Sequence, residues 1–502
     1  MSVHRRLLLA GLAATPLLAA GPALAGPVRR KRVDFFDTVR REAAALARKP
    51  YVAPPKDLEP ELAALGYDAY RDIGYRPEKA LWADLGLPFQ AQFFHRGGPA
   101  PQRVAVHEVV EGRVIPVAYS PELFRFGPQG AIAPTTDIGF SGFRLHTALN
   151  TPGVMDELIV FQGASYFRSL GRGQRYGLSG RALAINTGEA GPEEFPDFRA
   201  FWIERPAAGD ASVTVHALTD SPSCPAAHRF VITPGDGTVV EVACEVVPRK
   251  AIATLGIAPM SSMYDFGDDG AERRDDFRAA AHDSDGLAML TGRGHALWRP
   301  LSRPSRVRTS VFTDKTPKGF GLQQRNRDFD SYQDLETRYD LRPDCWVEPL
   351  GDWGDGAVRL LELPAKGEWE DNIAAFWRPA GVMRPGRARM WRYRLTWGRW
   401  PPPPGLAAVL LTRSGAADTP DSRRYVIDFT ALPAGGAAPT PKVTASSGVV
   451  DAVTLEANPQ TGGARLAFRI TPGGAEVVEL QAVLEVRGRP VSETWVDQWT
   501  PA

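Results

Sequence analysis

Two short segments of the chain concentrate groups that can move protons. His282-Asp283-Ser284-Asp285-Gly286-Leu287 packs two carboxylates and an imidazole into four residues. Glu368-Trp369-Glu370-Asp371-Asn372 sets three more carboxylates around a tryptophan and runs directly into the apolar stretch NIAAFW. Hydrolysis of a glycosidic bond needs such a pair, one carboxyl to protonate the leaving oxygen and one to take a proton from the attacking water. An aspartate beside an indole suits the first role, because partial desolvation raises a carboxyl pKa. Trp346, Trp353, Trp369 and Trp377 cluster in the same stretch, and tryptophan faces complement the C–H groups of sugar rings. Each feature also has a bland alternative: an Asp-rich turn is often only solvated, and tryptophans in a β-rich protein often only fill the core.

Other chemistries fit less well. Asp283-Ser284-Asp285-Gly286 has the start of a calcium loop, but the later acidic ligands are missing at their offsets, so no metal is expected. Gly171-Arg172-Gly173-Gln174-Arg175-Tyr176-Gly177 lacks the glycine spacing and strand–helix setting of a nucleotide loop, and reads as a bend between strands. No GxSxG, HExxH or Walker sequence is present. No cofactor is expected.

The elements that must position these groups are mostly strands. Val39, Ala43, Leu46 and Ala47 recur at helical spacing and predict a helix from Phe35 to Arg48, ended by the proline-rich stretch from Pro50 to Pro55. A shorter helix is expected to begin near Asp57 as N-cap, with Pro60 in its first turn. From Gln90 onward, runs such as QAQFFH, FRAFWIER, SVTVHALT, TVVEVACEVVP, AIATLGIA and MWRYRLTWGRW are rich in β-branched and aromatic residues and are separated by Gly, Pro, Asp or Asn. So many strands with so little helix predict an all-β fold, a large antiparallel sandwich over 26–400. Pro401-Pro402-Pro403-Pro404-Gly405 cannot continue a ladder and reads as a stiff linker. Residues 406–502 then have the size and strand texture of an immunoglobulin-like domain.

Residues 1–25 read as a cleavable export signal. Arg5 and Arg6 precede an apolar stretch from Leu7 to Ala20, and Ala23-Leu24-Ala25 offers small residues to a signal peptidase. Paired arginines directly before leucines also fit the twin-arginine route, although ordinary secretory signals can begin this way. No other stretch has the length of a membrane span. The 502 residues carry 59 Lys+Arg against 58 Asp+Glu, and removal of Arg5 and Arg6 leaves a nearly neutral chain with no bulk attraction for nucleic acid or anionic lipid. The three cysteines, Cys224, Cys244 and Cys345, are few for an exported protein. They are expected to be buried apolar residues, with Cys224–Cys244 the favoured pair if a bridge forms.

The longer motifs carry a family resemblance. GFSGFRLHTALN (139–150), FQGASYFRSLGRGQRYGLSGRALAINT (161–187), GIAPMSSMY (256–264), HDSDGL (282–287), GFGLQQRNRDFDSYQD (319–334), WVEPLGDWGDG (346–356) and DNIAAFW (371–377) resemble the periplasmic glucans biosynthesis family, the OpgG/OpgD (MdoG/MdoD) proteins. The resemblance covers essentially the whole mature chain, and the paired-arginine signal looks more like the D-type member.

That resemblance implies a galactose-mutarotase-like sandwich followed by the small immunoglobulin-like domain. It implies periplasmic action on osmoregulated glucans with a β-1,2-linked glucose backbone, by an anomer-inverting β-1,2-glucanase or a related transglycosylase. The family's catalytic pair falls on Asp371 as general acid and Asp283 as general base, with the proton path relayed through a substrate hydroxyl and water. Sugar contacts are expected from Glu368, Trp369, Tyr332, Arg327, Trp346 and Trp353, with Arg168 and Tyr176 from the earlier loop. A non-catalytic role, guiding nascent glucan from an inner-membrane synthase, is the reading from a different class.

Overall fold

Strands with β-branched residues on their inner faces account for most of the chain. In Thr238–Val246, Val240, Val242 and Cys244 are buried while Glu241 points to solvent, the period-two pattern of a sheet with one covered face. The computed structural model describes residues 34–128, 133–267, 275–419, 421–433 and 437–501. The expected export signal at 1–25 lies outside them.

Among the described residues the two largest sheets have ten and fifteen strands. The ten-stranded sheet runs, in order, through Phe89–His95, Phe140–Thr147, Asp156–Gln162, Tyr166–Ser169, Ser179–Arg181, Leu255–Ser262, Ile373–Pro379, Asp355–Glu362 and Arg308–Lys315, with Ala184–Ile185 paired to Leu255–Ser262. Its face packs on the larger sheet through aromatic rings: Phe143 meets Phe201 at 5.0 Å, Phe161 meets Phe230 at 5.2 Å, and Phe167 meets Trp397 at 5.7 Å. The fold is therefore an all-β sandwich. Phe36–Ala47 is the expected helix, and it lays Phe36, Val39 and Ala43 against Trp202, Leu218 and Ala227. The second helix begins at Pro60 with Glu59 as its N-cap residue, not Asp57. Asp57 instead pairs with the buried Arg96 at 2.6 Å, and that hydrogen bond holds its carboxyl below the usual range.

Beyond Pro401–Gly405 the chain builds a four-stranded sheet, Val409–Ala416, Arg423–Phe429, Gly463–Thr471 and Val449–Asn458. It also contributes Thr440–Ala445, Val478–Val486 and Thr494–Trp499 to the fifteen-stranded sheet. The junction is a parallel pairing of Leu297 with Thr494 and Trp298 with Trp495. Trp298 and Trp346 share a core with Tyr425, Phe468 and Trp495. The proline run interrupts the ladder in sequence, yet one sheet spans both sides of it. Phe35–Ala502 clusters as one compact unit.

The three cysteines are buried and free, as expected of apolar residues, and no Cys224–Cys244 bridge is formed. No helix among the described residues is long and apolar enough to cross a membrane.

Candidate functional site

The site is organised by one strand edge. Leu255–Ser262 pairs with Ile373–Pro379, register Ser262 to Ile373, and the chain continues to Tyr264, which pairs with His282. The residue after His282 is Asp283, and two residues before Ile373 is Asp371. Hydrogen bonds tighten this arrangement. The Asp283 N–H donates to the Met263 carbonyl at 2.9 Å. The buried Asn372 side chain grips the next residue: its Oδ1 accepts from the Tyr264 N–H at 2.8 Å, and its Nδ2 donates to the Tyr264 carbonyl at 2.9 Å. Consecutive residues, Met263 and Tyr264, are thus tied to the two segments that carry the carboxylates. Asn372 can do this because a carboxamide offers a donor and an acceptor, whereas a carboxylate at that position offers only acceptors.

The HDSDGL segment is held from behind as well. His282 stacks on Tyr264 with ring centroids 5.1 Å apart, and its Nδ1 lies 2.8 Å from Gln324 Oε1. Asp285 Oδ2 accepts from the N–H groups of Arg325 and Asn326 at 2.9 and 2.8 Å. Asp285 is half-buried, and desolvation raises its carboxyl pKa against those hydrogen bonds. It is a turn-forming residue under the site. Gly286 begins the next strand, and a Cβ there would sit 2.0 Å from the Trp298 ring. Glycine is required by that close approach.

The two catalytic candidates differ in environment. Asp283 is 7% exposed and ion-pairs with Arg342 through Oδ1. Asp371 is exposed. Arg342 lies over the Tyr339 ring, 4.2 Å from its centroid, and Gly177 abuts its side chain from the earlier loop. Burial and the neighbouring Arg168 push the Arg342 guanidinium down to about 10, opposed by the charges of Glu368 and Asp371. It remains a cation at neutral pH, within electrostatic reach of both. Tyr339 donates from its hydroxyl to Glu368 Oε2 at 2.6 Å. Arg278 donates to the same oxygen at 2.8 Å and pairs also with Asp276 and Asp334 at 2.9 Å. Three carboxylates share that one guanidinium, so the rim is acidic.

The structure brings some of the sequence-predicted contacts to this place and others to the interior. Glu368 is half-buried at the site, and Trp369 is 75% exposed two residues from Asp371. Arg168 is exposed, donates to Ser179 Oγ at 2.7 Å and lies near Arg342. Tyr176 packs partly on the main core, its hydroxyl held well above the usual phenol range by burial and by Glu157. Trp353 is a core residue with its indole N–H on the Arg392 carbonyl, and Trp346 is stacked on Trp400 at 5.1 Å. Neither presents a face to a cleft. Tyr332 is fully buried behind His282 and donates to the Asn326 carbonyl at 2.9 Å. Arg327 spends its donors on Asp344 and the Arg342 carbonyl. Tyr332 and Arg327 therefore support the walls.

Sequence reasoning missed Arg342, Tyr339, Arg278 and Tyr166. The first two lie between the recognisable motifs 319–334 and 346–356. Tyr166 is near enough to Asp371 for the carboxylate charge to raise its hydroxyl pKa, after burial as the main cause.

Known proteins resemble the chain over nearly its whole length. The family model described as "Periplasmic glucan biosynthesis protein, MdoG" matches residues 35–499. A "Glucans biosynthesis protein G" of Rhodopseudomonas palustris is 47% identical over 99% of this chain and 100% of its own length. A protein of the same name from Bradyrhizobium diazoefficiens is 45% identical over 99% of this chain and 100% of its own. One from Vibrio cholerae is 47% identical over 94% of this chain and 88% of its own. With its sandwich fold and a family match over nearly all its length, the chain belongs to the periplasmic glucan biosynthesis family.

Proposed function

We propose that the protein acts in the periplasm as an anomer-inverting hydrolase of the β-1,2-linked glucose backbone of osmoregulated glucans. The observation that carries this reading is the unequal pair of aspartates tied to Met263 and Tyr264. Asp283 is buried against a guanidinium, which supplies the countercharge a carboxylate base needs. Asp371 is open to solvent and to incoming substrate, on a loop that also offers the Trp369 ring. The buried, paired carboxylate suits the base, and the exposed one is placed to meet the leaving oxygen of a bound glucan.

In this mechanism a glucan chain lies over Trp369 and covers Asp371, which protonates the glycosidic oxygen as the bond to the anomeric carbon breaks. A water on the opposite face attacks that carbon, and its proton passes to Asp283, directly or through a sugar hydroxyl. Arg342 keeps Asp283 aimed and charged, and Glu368, fixed by Tyr339 and Arg278, accepts hydrogen bonds from sugar hydroxyls. The neutral balance of the mature chain suits an uncharged polymer.

The test is incubation of the mature protein with linear β-1,2-glucan, following reducing ends and product anomer together. New reducing ends released as the α-anomer support inverting hydrolysis. Redistributed chain lengths without new reducing ends would assign transglycosylation instead. Tight binding with an unchanged polymer would assign a non-catalytic glucan carrier.

A further inference from the structure

A cavity of about 1100 Å³ opens between the 300–308 segment and the strands that follow the proline run. Neither Asp283 nor Asp371 lines it. It nevertheless shares a wall with the aspartate site: Pro364 and Ala365 line the cavity, and the same loop continues to Glu368, Trp369 and Asp371. Arg303, also on the wall, donates to Asp265 at 3.0 Å, the residue next to the Tyr264 that Asn372 grips.

Buried ion pairs hold the cavity walls in register. Arg308 pairs with Glu362 at 2.8 Å and donates to the Gln498 carbonyl at 2.8 Å, while Arg299 pairs with Asp497 at 2.7 Å. The charged groups on its wall are balanced, Arg303, Arg308 and Arg423 against Asp421, Glu476 and Asp497. A net-neutral site favours an uncharged ligand. The remaining wall combines hydroxyls, among them Ser305, Thr412 and Ser414, with the half-buried Trp499 ring. Arg423 donates to Ser414 Oγ at 2.9 Å. Hydroxyls, a guanidinium and an open indole face are the chemistry of saccharide recognition, and the volume is at the upper end of small-ligand sites.

We infer that this cavity is a second saccharide-binding site, which holds a stretch of neutral glucan away from the point of cleavage. Trp499 stacks on a sugar ring and Arg423 hydrogen-bonds its hydroxyls. The inference rests on the glucan reading above and adds an anchor for the polymer on the far side of the catalytic loop.

The full mature chain carrying Asp371→Asn, chosen to slow turnover, is titrated calorimetrically with linear β-1,2-gluco-oligosaccharides. Two classes of site are expected. Adding Ser305→Trp, at an exposed position on the cavity wall, weakens one class by about tenfold or more, which is about 1.4 kcal/mol. As a check independent of that substitution, Trp499→Phe in the Asp371→Asn chain removes one component of the saccharide-induced change in indole fluorescence and leaves the other. A single class of site that neither substitution alters overturns the cavity site and leaves the glucan reading standing. No heat and no fluorescence change in any of these proteins overturns both.

Discussion

Two clusters of arginine and carboxylate among the described residues are built to opposite ends. At the sheet junction Glu362 is fully buried and accepts from Arg299 at 3.1 Å, from Arg308 at 2.8 Å and from the Ser302 N–H at 2.9 Å. Burial alone would raise its carboxyl pKa, yet the two guanidiniums pull it below the usual range. Asp497 completes a balanced set of two cations and two anions. At the aspartate site the same residue types are left unequal. Arg342 holds Asp283 but is itself destabilised by burial and Arg168, and Asp371 is exposed. A closed, balanced network fixes two strands. An open, unbalanced one leaves charge available to a substrate, and a substrate or transition state can complete it.

Four substitutions break or sharpen this contrast. The largest effect is expected from Asp371→Asn, which removes the proton donor: turnover of β-1,2-glucan falls by about 10² to 10⁴-fold. Because the residue is exposed, the denaturation midpoint stays put, within about 0.5 kcal/mol in stability. Glu362→Gln should do the reverse at the balanced cluster. It strands Arg299 and Arg308 with too little countercharge, and urea denaturation should show a loss of about 3–5 kcal/mol. A loss below about 1 kcal/mol would mean that the junction is not held by charge.

Asn372→Ala comes next. It removes the two hydrogen bonds that Asn372 makes to the Tyr264 backbone, at a cost of about 2–3 kcal/mol. It also frees the Asp371 loop, so kcat should fall along with stability. Unchanged kcat in the folded variant would show that the clamp positions nothing.

The smallest effect tests a third carboxylate, Asp344, which has one guanidinium partner, Arg327, and is buried enough for its pKa to rise to about 6 from an ordinary 3.8. The native state therefore keeps a proton that the unfolded chain has already released. That contribution to stability is full below the ordinary pKa and is lost as the pH rises through about 6. Relative to the non-titrating Asp344→Asn, the wild-type protein should lose about 2 kcal/mol between roughly pH 4 and pH 7. A flat difference across that range would remove Asp344 as an intermediate case.

The long strands were legible in the sequence because their residues state the pattern locally. Asp197–Glu204, Val213–Asp220, Thr238–Val246 and Arg389–Gly398 each carry enough β-branched and aromatic residues to be read alone. Two of the strands beside the site were not. Gly286–Leu290 and Gly319–Gln323 begin with glycines over which Trp298 and Trp346 lie, so their identity is set by a neighbouring ring and not by propensity. AIATLGIA was read as a strand over 251–258, and the strand is Leu255–Ser262, carried onward by pairing with Ile373–Pro379. The two acidic segments were visible by composition. Which tryptophan faces solvent was not, because Trp353 and Trp369 differ only in what packs over them. Arg342 was invisible for the same reason: its neighbours come from positions 168, 177, 283 and 339.

The parallel pairing of Leu297 with Thr494 also has a consequence for how the chain is made. Residues 494–499 lie between Ala296–Pro300 and Val478–Val486 in the sheet. A ribosome must therefore finish almost the whole polypeptide before Ala296–Pro300 and Val478–Val486 can be joined in the largest sheet. A chain cut short of Thr494 would carry two bare strand edges, each a template for pairing with another molecule. The order of synthesis makes completeness a condition of folding, and a truncated product should betray itself by aggregating.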